Sequence, residues 1–361
     1  LRVATSTLSR YLAREVALAV GVILLAFLSL FAFFDMLGEF RSLGRGDYQL
    51  RQLLTFVLLS SPTNAYELMP VAVLIGTLYV LAHLANNSEF TVMRAAGMTP
   101  GQAGGMLLRV GLVFALATFV IGEWVAPASE EAAQALRIRA LSGDIRQDLS
   151  SGLWFRDGSA FINVRLVRDA RALQGVRIYE FDGEFRLSQV TSAVGGEYLA
   201  DGAWRLREIV RTRFTAEGLK TTREPEAVWK SAVTPELINV LVVRPDRMSA
   251  WGLVRYVEYL AGNHQKTGRY EIALWKKLLY PVAVLVMMAL ALPFGYLHAR
   301  SGKVGLKVFL GVMLGIGFHM LNGLFAHVGL LQNWPPFAAA ALPCAAFFLA
   351  AVLMMWLVER R

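Results

Sequence analysis

The groups able to do chemistry are few and scattered. There are five histidines, His83, His264, His298, His319 and His327, and one cysteine, Cys344. No two histidines stand at the i, i+4 spacing that would place both on one helix face, and H-E-x-x-H and C-x-x-C are missing. So are the phosphate-cradling G-x-x-x-x-G-K-[ST] and the nucleophile elbow G-x-S-x-G. A lone cysteine makes no intramolecular disulfide. No catalytic residue and no metal ligand set is expected. What remains is charge placed at the ends of apolar runs, which suits binding and mechanical work rather than bond making.

The richest stretch of that kind lies between two of these runs. Leu68–Leu84 is apolar, and a second run ends in Gly122-Glu-Trp-Val-Ala-Pro127. Between them stands Ala85-Asn-Asn-Ser-Glu-Phe-Thr-Val-Met-Arg-Ala-Ala-Gly97. Phe90, Met93 and Ala96/Gly97 recur at helical spacing, with Ser88 placed to cap and Glu89 in the first turn. This spacing predicts a short amphipathic helix over 85–97, with Arg94 on it, fit to dock a partner at a membrane surface.

The elements that hold this helix are membrane spans. The chain is 56% hydrophobic, with mean hydropathy +0.47, beyond the usual soluble range. Each long run can cross a hydrocarbon core of roughly 30 Å at about 1.5 Å per residue. Six spans are expected, near Val16–Phe34, Tyr66–Leu84, Gly105–Trp124, Ala273–Leu297, Leu306–Val328 and Phe337–Val358. The first follows a basic leader, as a signal peptide does, but is too long and has no small-residue cleavage site behind it. It is expected to remain as a span. Gln52–Ser61 ends at Pro62 and is expected to be a short separate interfacial helix.

From Ala128 to about Gly268 the runs shorten and period-two alternation appears. Strands are expected at Ala160–Val167, Val176–Phe181, Glu197–Ala200 with Trp204–Ile209, and Val228–Ala232, with Asp-Gly pairs at 157, 182 and 201 as turn signals. A helix over Met248–Ala261, capped by Ser249, closes this β-rich insert. The domains are therefore 1–127, 128–268 and 269–361. The fold class is a polytopic α-helical membrane protein with six transmembrane helices and an inserted all-β domain.

Basic residues set the expected orientation. With the N-terminus inside, the cytoplasmic segments hold Arg2, Arg10, Arg14, Arg94, Arg109, Arg300, Lys303, Lys307, Arg360 and Arg361. The short outer loops hold only Arg41, Arg45 and Arg51, against Asp35, Glu39 and Asp47. Both termini and the 85–97 helix then face the cytoplasm, and the β domain lies outside. The net charge of +9 is largely this flanking charge, so nucleic acid is not an expected partner.

Several residue strings resemble the lipopolysaccharide export permeases, the YjgP/YjgQ or LptF/LptG family. They are Arg10-Tyr11, Ser88-Glu89-x-x-Val92-Met93-Arg94-Ala95-Ala96-Gly97, Gly122-Glu123-Trp124-Val125-Ala126-Pro127, Gly152-Leu153-Trp154, Trp229-Lys230 with Thr234-Pro235, Arg269-Tyr270 with Trp275-x-Lys277 and Pro281, and Pro335-Pro336 with Leu342-Pro343. The likeness covers the whole chain, and its third string is most like the LptG branch. It implies a bacterial inner-membrane permease subunit that takes no cofactor itself. The implied partners are a paralogous LptF-like permease, a homodimeric LptB-like ATPase using ATP and Mg, a single-span LptC-like jellyroll subunit and an LptA-like periplasmic bridge protein. The cargo is lipopolysaccharide, extracted from the inner membrane and passed towards the outer membrane. The inserted domain is implied to be a periplasmic jellyroll.

The resemblance also implies roles by position. Ser88, Glu89, Phe90, Met93 and Arg94 form the coupling helix for the ATPase. Arg41, Arg45, Arg137 and Lys277 are candidates for the phosphorylated head group, for which arginine has the right fork geometry. The sequence departs from the family at Gln134 and Asp35, where basic residues stand in some members. Phe27, Leu30 and Phe33 on the first span, and Phe318, His319 and Phe325 on the fifth, are candidates for the acyl-chain cavity or lateral gate. Plain alternatives stand beside each: basic residues near span ends also anchor helices, and aromatic stripes also pack. Two other functions are open on the residues alone, a membrane enzyme acting on envelope lipids and a scaffold that recruits partners through the β domain.

Overall fold

The computed structural model describes residues 2–141, 152–169, 172–199, 203–215, 218–231, 234–235, 245–296 and 304–360. Its six long apolar helical segments fit membrane spans by length and composition. They are α1 (Arg2–Glu39), α2 (Leu50–Asn86), α4 (Pro100–Val120) continued through a π turn (Ile121–Val125) into α5 (Ala126–Leu141), α7 (Gly268–Tyr296), α8 (Val304–Leu331) and α9 (Pro336–Glu359). The short α3 (Glu89–Ala95) joins α2 to α4, and α6 (Ala250–Gly262) precedes α7.

The second span is the axis of the bundle. Some 78% of its most apolar window is buried, against 11% for the first and 17% for the fifth. Both α1 and α8 pack on α2, and small residues let them close in. A Cβ at Gly76 would lie 2.7 Å from Val20, and one at Gly315 would lie 2.5 Å from Val71. Helix association in lipid depends on such close approach, because tails are as apolar as leucine. The core then runs from Val16 and Val20 through Leu74, Leu78 and Leu81 to Val284 and Met287.

The expected break at Pro62 does not occur. Residues 50–86 form one helix, with Pro62 and Pro70 inside it. Proline costs a backbone hydrogen bond, but within a packed membrane bundle local hydroxyls and neighbouring helices compensate. One turn of polar side chains surrounds the missing bond: Ser61 donates to Val57 O at 3.0 Å, next to the Leu58 carbonyl that Pro62 cannot serve, and Ser60, Thr63 and Asn64 are buried beside it. Likewise, the helix after Pro127 continues to Leu141, and the first strand begins only at Leu153.

The inserted domain is a six-stranded antiparallel meander, β1 (Leu153–Asp157), β2 (Ala160–Asp169), β3 (Ala172–Phe181), β4 (Leu187–Tyr198), β5 (Ala203–Thr215) and β6 (Gly218–Lys230). One face buries Phe155, Ile162, Val164, Val176, Ile178, Trp204, Leu206 and Ile209. The strands are longer than alternation alone suggests. β6 is a charged, exposed edge, and its Pro225 falls opposite Glu208, whose φ is +52°, with the register unbroken on either side. An edge is where a strand tolerates proline.

Candidate functional site

The α3 turn is built by its ends. Ser88 has φ +63°, outside the extended geometry usual for an N-cap, yet its carbonyl takes the first helical bond, from Val92 N at 3.0 Å, as an N-cap's does. Gly97, at φ +95°, takes the left-handed position after the helix, and Met98 N reaches back to Met93 O at 3.1 Å. That six-to-one closure is why a glycine ends the motif. Met98 packs on the bundle core and fixes the exit. Glu89 accepts from the Tyr11 hydroxyl of α1 at 3.3 Å, so the Arg10-Tyr11 string and the α3 string meet in space. Val92 is 65% exposed, and Met93 is partly exposed. The side chains of Phe90 and Arg94 lie outside the described residues.

At the opposite end of the bundle, the loop after α1 folds back on α5. Asp47 N donates to Ala140 O at 2.9 Å, and Tyr48 is fully buried with Leu53, Val57 and Ala140. Burial, then the Glu39 carboxylate nearby, pushes the Tyr48 phenol up to about 12. This fold-back gathers three of the expected head-group residues at one end. Arg41 and Arg45 are exposed on the loop. Arg137 lies 3.3 Å from Glu39, with its guanidinium 6.0 Å from the Phe56 ring centre. Its positive charge is thus partly answered within the chain.

Lys277 is placed elsewhere. Its ammonium donates to the Met248 carbonyl and stands 5.4 Å from the centre of the Tyr66 ring. Beside it, Glu123 on the π turn accepts from Ala250 N at 2.8 Å and Trp251 N at 3.2 Å. Ser249 caps the same helix by accepting from Gly252 N at 3.0 Å. The Gly122-Glu123 pair is therefore a joint: Glu123 satisfies the free amides of α6, and Gly122 leaves room for Tyr66, whose ring a Cβ would meet at 2.4 Å. π turns re-aim side chains in this way. α6 in turn carries the β domain, since Tyr259 donates to Arg156 O at 2.8 Å and Asn263 accepts from Gly158 N at 3.0 Å. Burial, with Asp157 adding to it, raises the Tyr259 phenol to about 12.

One cluster escapes a reading of the sequence. Glu130 is buried and accepts from Arg247 at 2.8 Å and from Gln134 at 2.9 Å. Burial works against the Arg247 cation, but the Glu130 hydrogen bond and charge, with Glu67 and Asp35 in reach, leave its pKa above the ordinary value. Gln134 stands where a basic side chain was expected, and here its amide serves the carboxylate. Asn64 holds Asp35 at 2.8 Å nearby. No local pattern marks Glu130 apart from Glu131 beside it, and its partner lies 117 residues on.

On the proposed gate helices, Leu30 and Phe33 are exposed and Phe27 is half-buried. Phe318 instead points inward, 5.2 Å from Phe347 of α9. His319 is exposed on α8, and Phe325 meets Trp334 edge-on at 6.2 Å. Among the described residues, no group of three or more His, Cys, Asp or Glu is placed to hold a metal ion.

The chain that folds into six spans, a short helix between the second and third, and a β insert between the third and fourth can be compared with known families. The family model for the lipopolysaccharide export system permease LptF/LptG matches residues 10–357. The chain belongs to this family. Among characterised relatives it is 31% identical over 357 residues to the lipopolysaccharide export system permease protein LptG of Haemophilus influenzae, covering 99% of both chains. It is 32% identical over 356 residues to the protein of the same name from Escherichia coli K12, covering 98% of both. Those matches span α3, the Glu123 joint and the β domain alike.

Proposed function

We propose that this chain is the permease subunit of an ATP-driven transporter that extracts lipopolysaccharide from the inner membrane and hands it to a periplasmic bridge towards the outer membrane. Both termini and α3 face the cytoplasm, and the β domain is periplasmic. The observation that carries the reading is α3 itself. It is a seven-residue helix between two spans, closed by Gly97 and tied through Glu89 to α1, within a chain of this family. A partner ATPase that uses ATP and Mg pushes there. The push passes into α1, whose largely uncovered apolar face, with that of α8, borders the lipid cavity shared with an LptF-like paralogue. The exposed Arg41 and Arg45, with Arg137 beside them, hold the phosphorylated head group at the outer mouth. An LptC-like anchored subunit and an LptA-like bridge protein receive the lipid from the periplasmic domains.

Purification of the tagged chain from its native membrane, with mass spectrometry of what accompanies it, tests this. A paralogous permease, a small ATPase and lipid A-bearing lipid are expected. A chain recovered with none of them overturns the proposal.

A further inference from the structure

We infer that α6 is a lipid-contacting interfacial element, seating Trp251 and Arg255 among the head groups of the leaflet on the β-domain side. The inference goes beyond the transport reading and needs only that the chain spans a bilayer. It begins with a surface stripe. Leu112 and Leu116 of α4 are 61% and 63% exposed, and the stripe climbs in four-residue steps to Trp124, which is 61% exposed. Such a stripe on a membrane span faces lipid. Trp124 follows Glu123, and Glu123 accepts from the backbone of Trp251, which ties the start of α6 to the top of the stripe. There Trp251 is 63% exposed, and the Arg255 guanidinium lies 5.3 Å from its ring centre. Trp275, at the neighbouring start of α7, is 37% exposed and leads into the exposed Leu278 and Val282.

Three partly bare tryptophans thus stand where apolar stripes end, the level at which indole rings favour the membrane interface. The opposite face of α6 is already occupied. Leu253, Tyr256 and Leu260 are buried with Met248 and Ala273. What is left outward is an indole with an arginine over it, a pair that can bury its ring in the acyl boundary while the guanidinium takes a lipid phosphate. The occupant is bilayer lipid, because Glu123 pins the patch to the top of a membrane-facing stripe.

The test places a nitroxide label at 255 through Arg255→Cys in a Cys344→Ala background, with the full chain in phospholipid nanodiscs. Oxygen and a water-soluble nickel chelate report depth by electron paramagnetic resonance. Leu116→Cys marks the lipid core, and Arg186→Cys, on a 72% exposed side chain of the β domain, marks water. A depth between these references, at head-group level, is expected. Moving Trp251→Ala into the labelled chain should raise nickel access at 255 several-fold. A label at 255 as open to nickel as the one at 186 overturns the inference, and so does a label shielded from both reagents, which would mean that the chain itself or a second copy of it covers the patch.

Discussion

The Glu130–Arg247 pair should behave as one energetic unit, and its two halves should not be equally costly to remove. Glu130 is 1% exposed and Arg247 23% exposed, with N and O 2.8 Å apart. Removing one partner of such a pair costs about 3–5 kcal/mol, mostly the penalty of the charge left behind. Arg247→Ala strands a buried carboxylate that keeps, among the described residues, the Gln134 amide at 2.9 Å and a long Thr63 contact at 3.5 Å. Its cost should be about 4 kcal/mol. Glu130→Ala leaves a cation that is partly wet and still within reach of Glu67 and Asp35, so about 2 kcal/mol is expected. The double alanine variant should fall short of the sum by about 2 kcal/mol. Glu130→Met with Arg247→Met, which removes both charges and keeps the volume, should be nearly neutral. Unfolding by sodium dodecyl sulfate in dodecylmaltoside micelles gives the cycle. Additivity within about 0.5 kcal/mol, or an equal cost for the two single variants, would refute the reasoning.

The joint at the π turn yields two further expectations. Gly122→Ala drives a Cβ to 2.4 Å from the Tyr66 ring and should cost about 1–3 kcal/mol in the same titration. Glu123→Gln keeps the shape but loses the charge of a helix cap, so amide exchange at 250–252 should quicken about tenfold, read by mass spectrometry. Gly315→Leu cannot keep α8 against Val71, and should lower thermal stability while leaving the β-sheet signal of the inserted domain unchanged by infrared spectroscopy. On α3, Glu89→Lys should release the ATPase from the purified complex, and Tyr11→Phe, which removes one hydrogen bond to that carboxylate, should weaken capture less.

Much of this architecture is legible in residue order, for a physical reason. A span must satisfy its backbone internally and match a fixed thickness, so long apolar runs announce six helices with little ambiguity. The β insert announces itself by alternation, and Gly97 by the left-handed turn it permits. Local rules failed where the environment overrode them. Pro62 reads as a stop in water, yet a packed membrane helix absorbs it. Ser88 reads as a cap, but a tight exit from α2 puts it at positive φ. Lys277, a head-group candidate by resemblance rather than by a local rule, has its ammonium on the Met248 carbonyl beside Glu123, a contact no local pattern announces. Only the end of β6, from Val228, is legible, because an edge strand needs no apolar rhythm. The Glu130–Arg247 pair is invisible in principle, because nothing local ties a carboxylate on α5 to an arginine after the β domain. The Gly122-Glu123-Trp124 string could be matched as a motif, but its use as a joint needed the coordinates of α6.

The central claim is that this chain works as the membrane part of an ATP-driven lipopolysaccharide extractor. Co-reconstitution with its paralogue, the ATPase and the anchored jellyroll subunit in liposomes bearing lipopolysaccharide tests it most directly, with transfer to a soluble bridge protein as readout. Transfer should require ATP and this chain, and should fall to background with Glu89→Lys. Transfer that proceeds without the chain or without ATP, or that is unchanged by Glu89→Lys, would contradict the account.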